Sequence, residues 1–250
     1  TVIRYDAADD QVALKVTADG PVELTGLAFV GGELGILIDS SARDIMLDGV
    51  RVSADGAVAL VVASGEDELE LVLTNVALKG AEVRRGRVDL SRVTVEPYPA
   101  GADVWVGGDA ALVADTFYVS RGNLTIEESA QVTVTNFVLD DGQLMVSGPN
   151  TSATVTEAIV RGADGRQAAV SLGGGILNLV STEVSGGDVT GVEIFGEDAS
   201  LYGRDLWLTA TDSMTSGIEV HSGGYASLER VSVASSGTRG VGVMGQYSEL

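Results

Sequence analysis

Apolar residues return along this chain in short alternating pairs, each pair recurring after a little over twenty residues. The clearest copy runs Gly-Ile-Glu-Val from Gly217, a Gly-Gly bend, Ala-Ser-Leu-Glu-Arg-Val-Ser-Val, a polar loop, and Gly-Val-Gly-Val ending at Val243. Alternation of this kind marks a strand with one buried face. The first strand signal of each lap, strand A, has inward pairs Val12/Leu14, Ile36/Ile38, Val58/Leu60, Ala81/Val83, Val104/Val106, Leu124/Ile126, Leu144/Val146, Val170/Leu172, Val192/Ile194, Ile218/Val220 and Val241/Val243. Val12 to Val241 in ten steps gives a period of about 23 residues, inside the range that marks solenoids.

The second signal, strand B, places inward residues at spacing 0, +3, +5. Copies include Leu24/Leu27/Phe29, Leu73/Val76/Leu78, Ala114/Phe117/Val119, Val134/Phe137/Leu139 and Leu228/Val231/Val233. Leu179/Thr182/Val184 and Gly203/Leu206/Leu208 follow the spacing with weaker residues. The +3 and +5 residues share one side of a strand, but the step from 0 to +3 breaks alternation. Two residues must therefore turn a corner. They are mostly polar or small: Thr25-Gly26, Asp48-Gly49, Thr74-Asn75, Thr135-Asn136, Arg204-Asp205, Glu229-Arg230. Gly, Asn and Asp tolerate the left-handed backbone such a corner uses. Each lap thus holds strand A and a strand B bent in two, the cross-section of a parallel β-helix.

Composition supports this reading. The chain has 250 residues, 33 of them Gly and 4 Pro, and aromatics make up 5% against 45% hydrophobic overall. The core must be aliphatic, and the joints tight. One lap buries five or six apolar side chains worth roughly 1.5–3 kcal/mol each. Ordering its backbone costs about 1–2 kcal/mol per residue. A single lap loses that comparison, so laps must stack. The expectation is one all-β domain over 1–250, a parallel β-helix of about ten laps. No convincing cap is visible, and the chain starts at Thr1 without Met, so it reads as a processed product or a fragment of a longer protein.

Thirty-six acids against 15 bases leave a net charge of −21, a field that repels nucleic acid. Such acidity serves solubility or Ca²⁺ affinity on an external surface. Cys is absent and no apolar run reaches membrane-spanning length, so no transmembrane segment is expected.

The Gly-Val-x-Val, Ala-x-Leu-x-x-Val-x-Val lap resembles the pectin-lyase-like, right-handed parallel β-helix superfamily over roughly Val12 to Val243. Its members include polysaccharide lyases, glycoside hydrolases, adhesins, tailspikes and uncharacterised secreted repeat proteins. The low-aromatic version here is most similar to the last group, often bacterial surface proteins. The resemblance implies a right-handed coil and a secreted or cell-surface location, but fold alone does not carry function.

Lyases of this kind hold Ca²⁺ with acids on one face. Here the bends after strand A carry Asp39, Glu66-Asp67-Glu68, Asp109, Glu127-Glu128 and Glu197-Asp198. No cofactor is required by the sequence, and calcium is the ion these bends suit, with Glu127, Glu128, Glu197 and Asp198 as candidate ligands. Hydrolases of this kind show paired Asp and a His-Gly. Asp140-Asp141 and His221 are the candidate catalytic residues here, although the family's Asn-Thr-Asp and Arg-x-Lys segments are missing. By alternation His221 points outward beside Phe195 and Met244.

The outward residue between +3 and +5 reads Ala28, Arg51, Ala77, Thr94, Tyr118, Val138, Ile159, Glu183, Trp207, Ser232. Tyr118, Val138 and Ile159 fall on consecutive laps. With Trp207 and Tyr202 they form a candidate ligand-binding strip for a polysaccharide or protein partner. The outward side of strand A gives Leu37, Ala59, Trp105, Thr125, Met145, Ser171, Glu193 and Glu219. Thr133 and Thr135 read as an isolated pair, unlike a threonine array. The leading expectation is a non-enzymatic rigid scaffold or adhesin-like surface. The alternative is a polysaccharide lyase or glycoside hydrolase.

Overall fold

One backbone position in each of ten B strands is left-handed, and it sets the course of the chain. A computed structural model describes residues 2–4, 12–17, 21–30, 34–38, 44–53, 58–62, 69–96, 103–163, 168–186, 190–209, 216–234 and 239–244. Gly26, Gly49, Asn75, Arg92, Thr116, Asn136, Glu157, Ser181, Asp205 and Arg230 all have φ between 50° and 64°. They are the second residue of each expected corner pair. The left-handed kink swings the chain from the 0 position to the +3 position without leaving the hydrogen-bonded ladder.

The described residues contain no helix, and therefore none long and apolar enough to cross a membrane. All pairings are parallel. B strands pair lap to lap, from Val22–Thr25 with Ile45–Asp48 through to Ala199–Thr209 with Tyr225–Ala234. A strands form their own ladder, from Val12–Val16 with Leu34–Ile38 to Ser216–His221 with Arg239–Met244. The protein is a parallel β-solenoid. Its lap length varies: Leu124 pairs with Leu144, 20 residues on, and Leu144 with Val170, 26 residues on. The two-residue corner keeps its length throughout, so the variation falls elsewhere in the lap.

The inward columns stack into one aliphatic core. The 0, +3 and +5 residues align in register, for example Leu90/Val93/Val95 on Ala114/Phe117/Val119 on Val134/Phe137/Leu139. A further inward column precedes them, two residues before position 0: Leu71, Val88, Leu112, Val132, Leu177 and Leu201 are buried. The two weak laps are explained by their neighbours. Buried Thr182 donates its hydroxyl to the Val180 carbonyl at 3.1 Å. Leu206 and Leu228 fill the space a side chain at Gly203 would need.

Two A strands differ from expectation. Register pairs Leu14/Val16 with Ile36/Ile38, and those with Leu60/Val62, so the inward pairs are not Val12/Leu14 and Val58/Leu60. A slip of two residues leaves every side chain on the same face, so alternation alone cannot detect it. Ala59, expected outside, is fully buried. It aligns with Gly35, where a Cβ would lie 2.2 Å from a methyl of buried Val52, so this position faces the packed interior. Val241 and Val243 do stack on Ile218 and Val220, yet are 38% and 44% exposed. Thr133 and Thr135 are not isolated: Thr154 and Thr156 pair with them on the next lap.

The corner edge carries an exposed polar ladder. Asn75 donates to Asp48 at 3.0 Å, Arg92 Nε to Asn75 at 2.6 Å, and Asn136 to Asp115 at 2.9 Å. Arg230 grips Asp205 through Nε and Nη2, and that hydrogen bond holds the Asp205 carboxyl below the usual carboxylate range. The contribution of this contact is present at neutral pH and is lost as pH falls through the depressed pKa. Thr116 is the misfit in this series, being β-branched at φ 56°. The left-handed region costs most L-residues roughly 1–2 kcal/mol, and Asn tolerates it better. Thr116→Asn should therefore raise stability by about 1 kcal/mol, read as a higher urea midpoint with an unchanged slope.

Candidate functional site

Alternation after the corner leaves one side chain per lap outside, and register turns these into a column. Ala28, Arg51, Ala77, Thr94, Tyr118, Val138, Ile159, Glu183, Trp207 and Ser232 align partner to partner, as the spacing predicts. Tyr118, Val138 and Ile159 are consecutive and half-buried, making a continuous apolar strip. Two laps further on, beyond exposed Glu183, Trp207 stands 51% exposed. Large aromatic surface held in water by a rigid backbone is suited to stacking on a planar or sugar-like face.

Tyr202 is on the same lap as Trp207 but before the corner. It aligns with Asn178 and Ser227, and its ring lies 5.8 Å from Tyr225, tilted 59°. The Arg204-Asp205 corner separates it from Trp207. The two aromatics therefore flank an edge and do not share one platform.

The A-strand face holds a different arrangement. Its outward column includes Val61, Glu82, Trp105, Thr125, Met145, Ser171, Glu193 and Glu219. The Trp105 ring lies over Gly107, where a Cβ would come within 2.1 Å of it, and its Nε1 donates to Glu127 at 3.2 Å. The other Glu127 oxygen accepts from Ser147 at 3.4 Å. Glu128 accepts from the Gly108 amide at 3.3 Å. These two carboxylates are thus tied to neighbouring bends. Glu197 and Asp198 are exposed in the turn closed by the Ala199 amide on the Gly196 carbonyl. The bends at 147–151 and 173–175 stand between the two acidic pairs. Among the described residues no three His, Cys, Asp or Glu side chains converge as a metal site. Asp39, Glu66, Asp67 and Glu68 lie outside the described residues.

The proposed catalytic residues fall in separate places. Asp140 pairs with Arg161 at 3.1 Å, and Asp141 is exposed with φ 57°. His221 lies three steps along the A ladder from there, by way of Val146, Leu172, Ile194 and Val220. Its Nε2 is 3.0 Å from Glu193 Oε1, and its ring stacks on Phe195 with centroids 6.0 Å apart and planes 21° apart. Glu219, the register partner of Glu193, accepts from Ser216 at 2.7 Å. The imidazole thus meets a carboxylate on one side and an aromatic face on the other. Chemically this is an imidazole held in orientation by a carboxylate. Sequence reasoning missed the Glu193–His221 pair, since residues 28 apart meet only once the lap length is known.

Compared with known proteins, the chain matches no family model, no curated protein and no solved structure.

Proposed function

We propose that this chain is a rigid binding module of a secreted or cell-surface protein, presenting one outward column to a carbohydrate or protein partner. The observation that carries this reading is the register-continuous column in which Tyr118, Val138 and Ile159 lead to half-exposed Trp207. A solenoid holds such side chains without loop entropy, so little ordering opposes binding. The right-handed, pectin-lyase-like coil suggested by the lap sequence is part of the same proposal, and it favours a polysaccharide as the ligand. The acidic surface speaks against a nucleic-acid partner.

A second reading rests on the Glu193–His221 pair beside Phe195: a polysaccharide lyase or glycoside hydrolase, with the pair moving a proton at the bond broken. One experiment separates the two. The protein is offered acidic and neutral polysaccharides with and without Ca²⁺, because Glu197 and Asp198 face solvent and offer oxygen ligands. Retention and chain shortening are both measured. Retention without shortening is expected, falling about tenfold or more in Trp207→Ala and Tyr118→Ala, the scale of an aromatic anchor. Retention indifferent to both substitutions would refute the binding column. Shortening that disappears in His221→Ala and Glu193→Gln would establish the enzyme instead.

A further inference from the structure

The face before the corner, on the N-terminal laps, carries a groove that the column above does not use. Outward residues of three laps build it. Register stacks Glu23, Met46 and Val72 one above another, and Asp44 and Glu70 directly precede the paired Ile45 and Leu71. Pro21, Val22 and Ile45 are the other described residues that line this cavity of about 400 Å³. Its floor is apolar. Met46 is 45% exposed, an unusual state for a long thioether side chain on a strand. Its rim is acidic: Glu23, Asp44 and Glu70 are all exposed, and among the described residues none of the three is in an ion pair with a cation. The nearest cation along the row is Arg87, the register partner of Glu70, and it is engaged by Asp89 at 3.2 Å.

Apolar floor and carboxylate rim together select the chemistry of an occupant. A polyanion is repelled by the rim and by the net charge of −21. A small hydrated cation gains nothing from Met46 and Val72. Extended peptide does fit. Lys and Arg lay their methylene stems on apolar surface while the charged head stays at a wet, acidic rim. Lys or Arg stems together with the aliphatic side chains between them suit a cavity of this size, which falls at the small end of ligand pockets. Met46 is the floor residue best able to adapt to different side chains. The cavity is built on the ladder itself, so its floor does not need to be ordered on binding.

From this geometry we infer that the groove lined by Glu23, Asp44, Met46, Glu70 and Val72 is a docking site for a cationic, amphipathic peptide segment of a partner protein. It is separate from the Tyr118–Trp207 column, which lies beyond the corner.

The test uses a dye-labelled peptide of alternating Lys and Leu, with a Glu–Leu peptide of equal length as control, followed by fluorescence anisotropy. The Lys–Leu peptide binds and the Glu–Leu peptide does not. Glu23→Gln with Glu70→Gln weakens binding by about tenfold or more, the size of two charge contacts near a surface. Glu96→Gln with Glu157→Gln, which removes the same charge elsewhere, changes it less than about twofold. Met46→Ser, on an exposed position that leaves the core intact, weakens it several-fold, and Trp207→Ala leaves it unchanged. Equal loss in the two double variants would show diffuse attraction to an acidic protein and overturn the site. So would full binding by Met46→Ser. Loss in Trp207→Ala would move the peptide to the other face, refuting the groove while leaving the binding column in place.

Discussion

Gly142→Ala should unfold the solenoid at much lower urea than the parent chain. Gly142 joins a B strand to the next A strand, where the ladder is irregular and the backbone of one lap lies directly on the next. A Cβ there would sit 1.8 Å from the Gly122 carbonyl oxygen and 3.0 Å from a Leu139 methyl. An aliphatic carbon sits about 3.3–3.6 Å from a carbonyl oxygen even in a favourable C–H···O contact. The obstacle is backbone, so no side chain can rotate away, and the two laps must part. Gly162, the register partner of Gly142, is itself approached by Gly186, where a Cβ would lie 2.6 Å from the Gly162 carbonyl. The strain therefore has no slack lap to relax into. Overpacking of this kind costs about 3 kcal/mol or more. Gly240→Ala is the control: nothing lies within 4 Å of its Cβ, and its φ is not left-handed. It should shift stability by no more than about 0.5 kcal/mol. Equal urea midpoints for Gly142→Ala and the parent would show that the laps are not in contact there.

Phe137→Ala is expected to cost about 3–5 kcal/mol. The aliphatic core holds two large rings on adjacent laps, Phe117 and Phe137, fully buried and stacked with centroids 5.5 Å apart and planes 21° apart. Their register neighbour on the following lap is Ala158, too small to fill the space left behind. The rings also support each other directly, by about 0.5–1.5 kcal/mol beyond area burial. The double variant Phe117→Ala/Phe137→Ala should thus lose less than the sum of the two single losses. Strict additivity in a double-mutant cycle would mean that the rings do not interact across the lap.

The B strand was the readable half of this chain. Its 0, +3, +5 spacing contains a corner, and a corner cannot slide: Asn75, Asn136 and Asp205 could be assigned to the kink by residue type alone. Arg92, Thr116 and Glu157 occupy the same position against their preference, and only the spacing pointed to them. The A strand has no such marker. In Val58-Ala-Leu-Val-Val62 every alternate residue is apolar, so two registers fit equally and the hydrogen-bond ladder decides between them. Site geometry was less legible still. Trp105–Glu127 and Glu193–His221 are contacts between laps, and they depend on lap lengths that loops set. The outward column from Tyr118 to Trp207 was readable because it inherits the register of the corner. Tyr202 was grouped with it by nearness in sequence, and the same corner turns it away.

The parallel ladder also fixes a metric along the molecule. Neighbouring strands lie about 4.8 Å apart, so every outward group sits at a whole multiple of that pitch from the others in its column. Tyr118 and Trp207 are four such rungs apart, about 19 Å. A guest that touches both must therefore span about 19 Å. A single sugar ring would reach one end only.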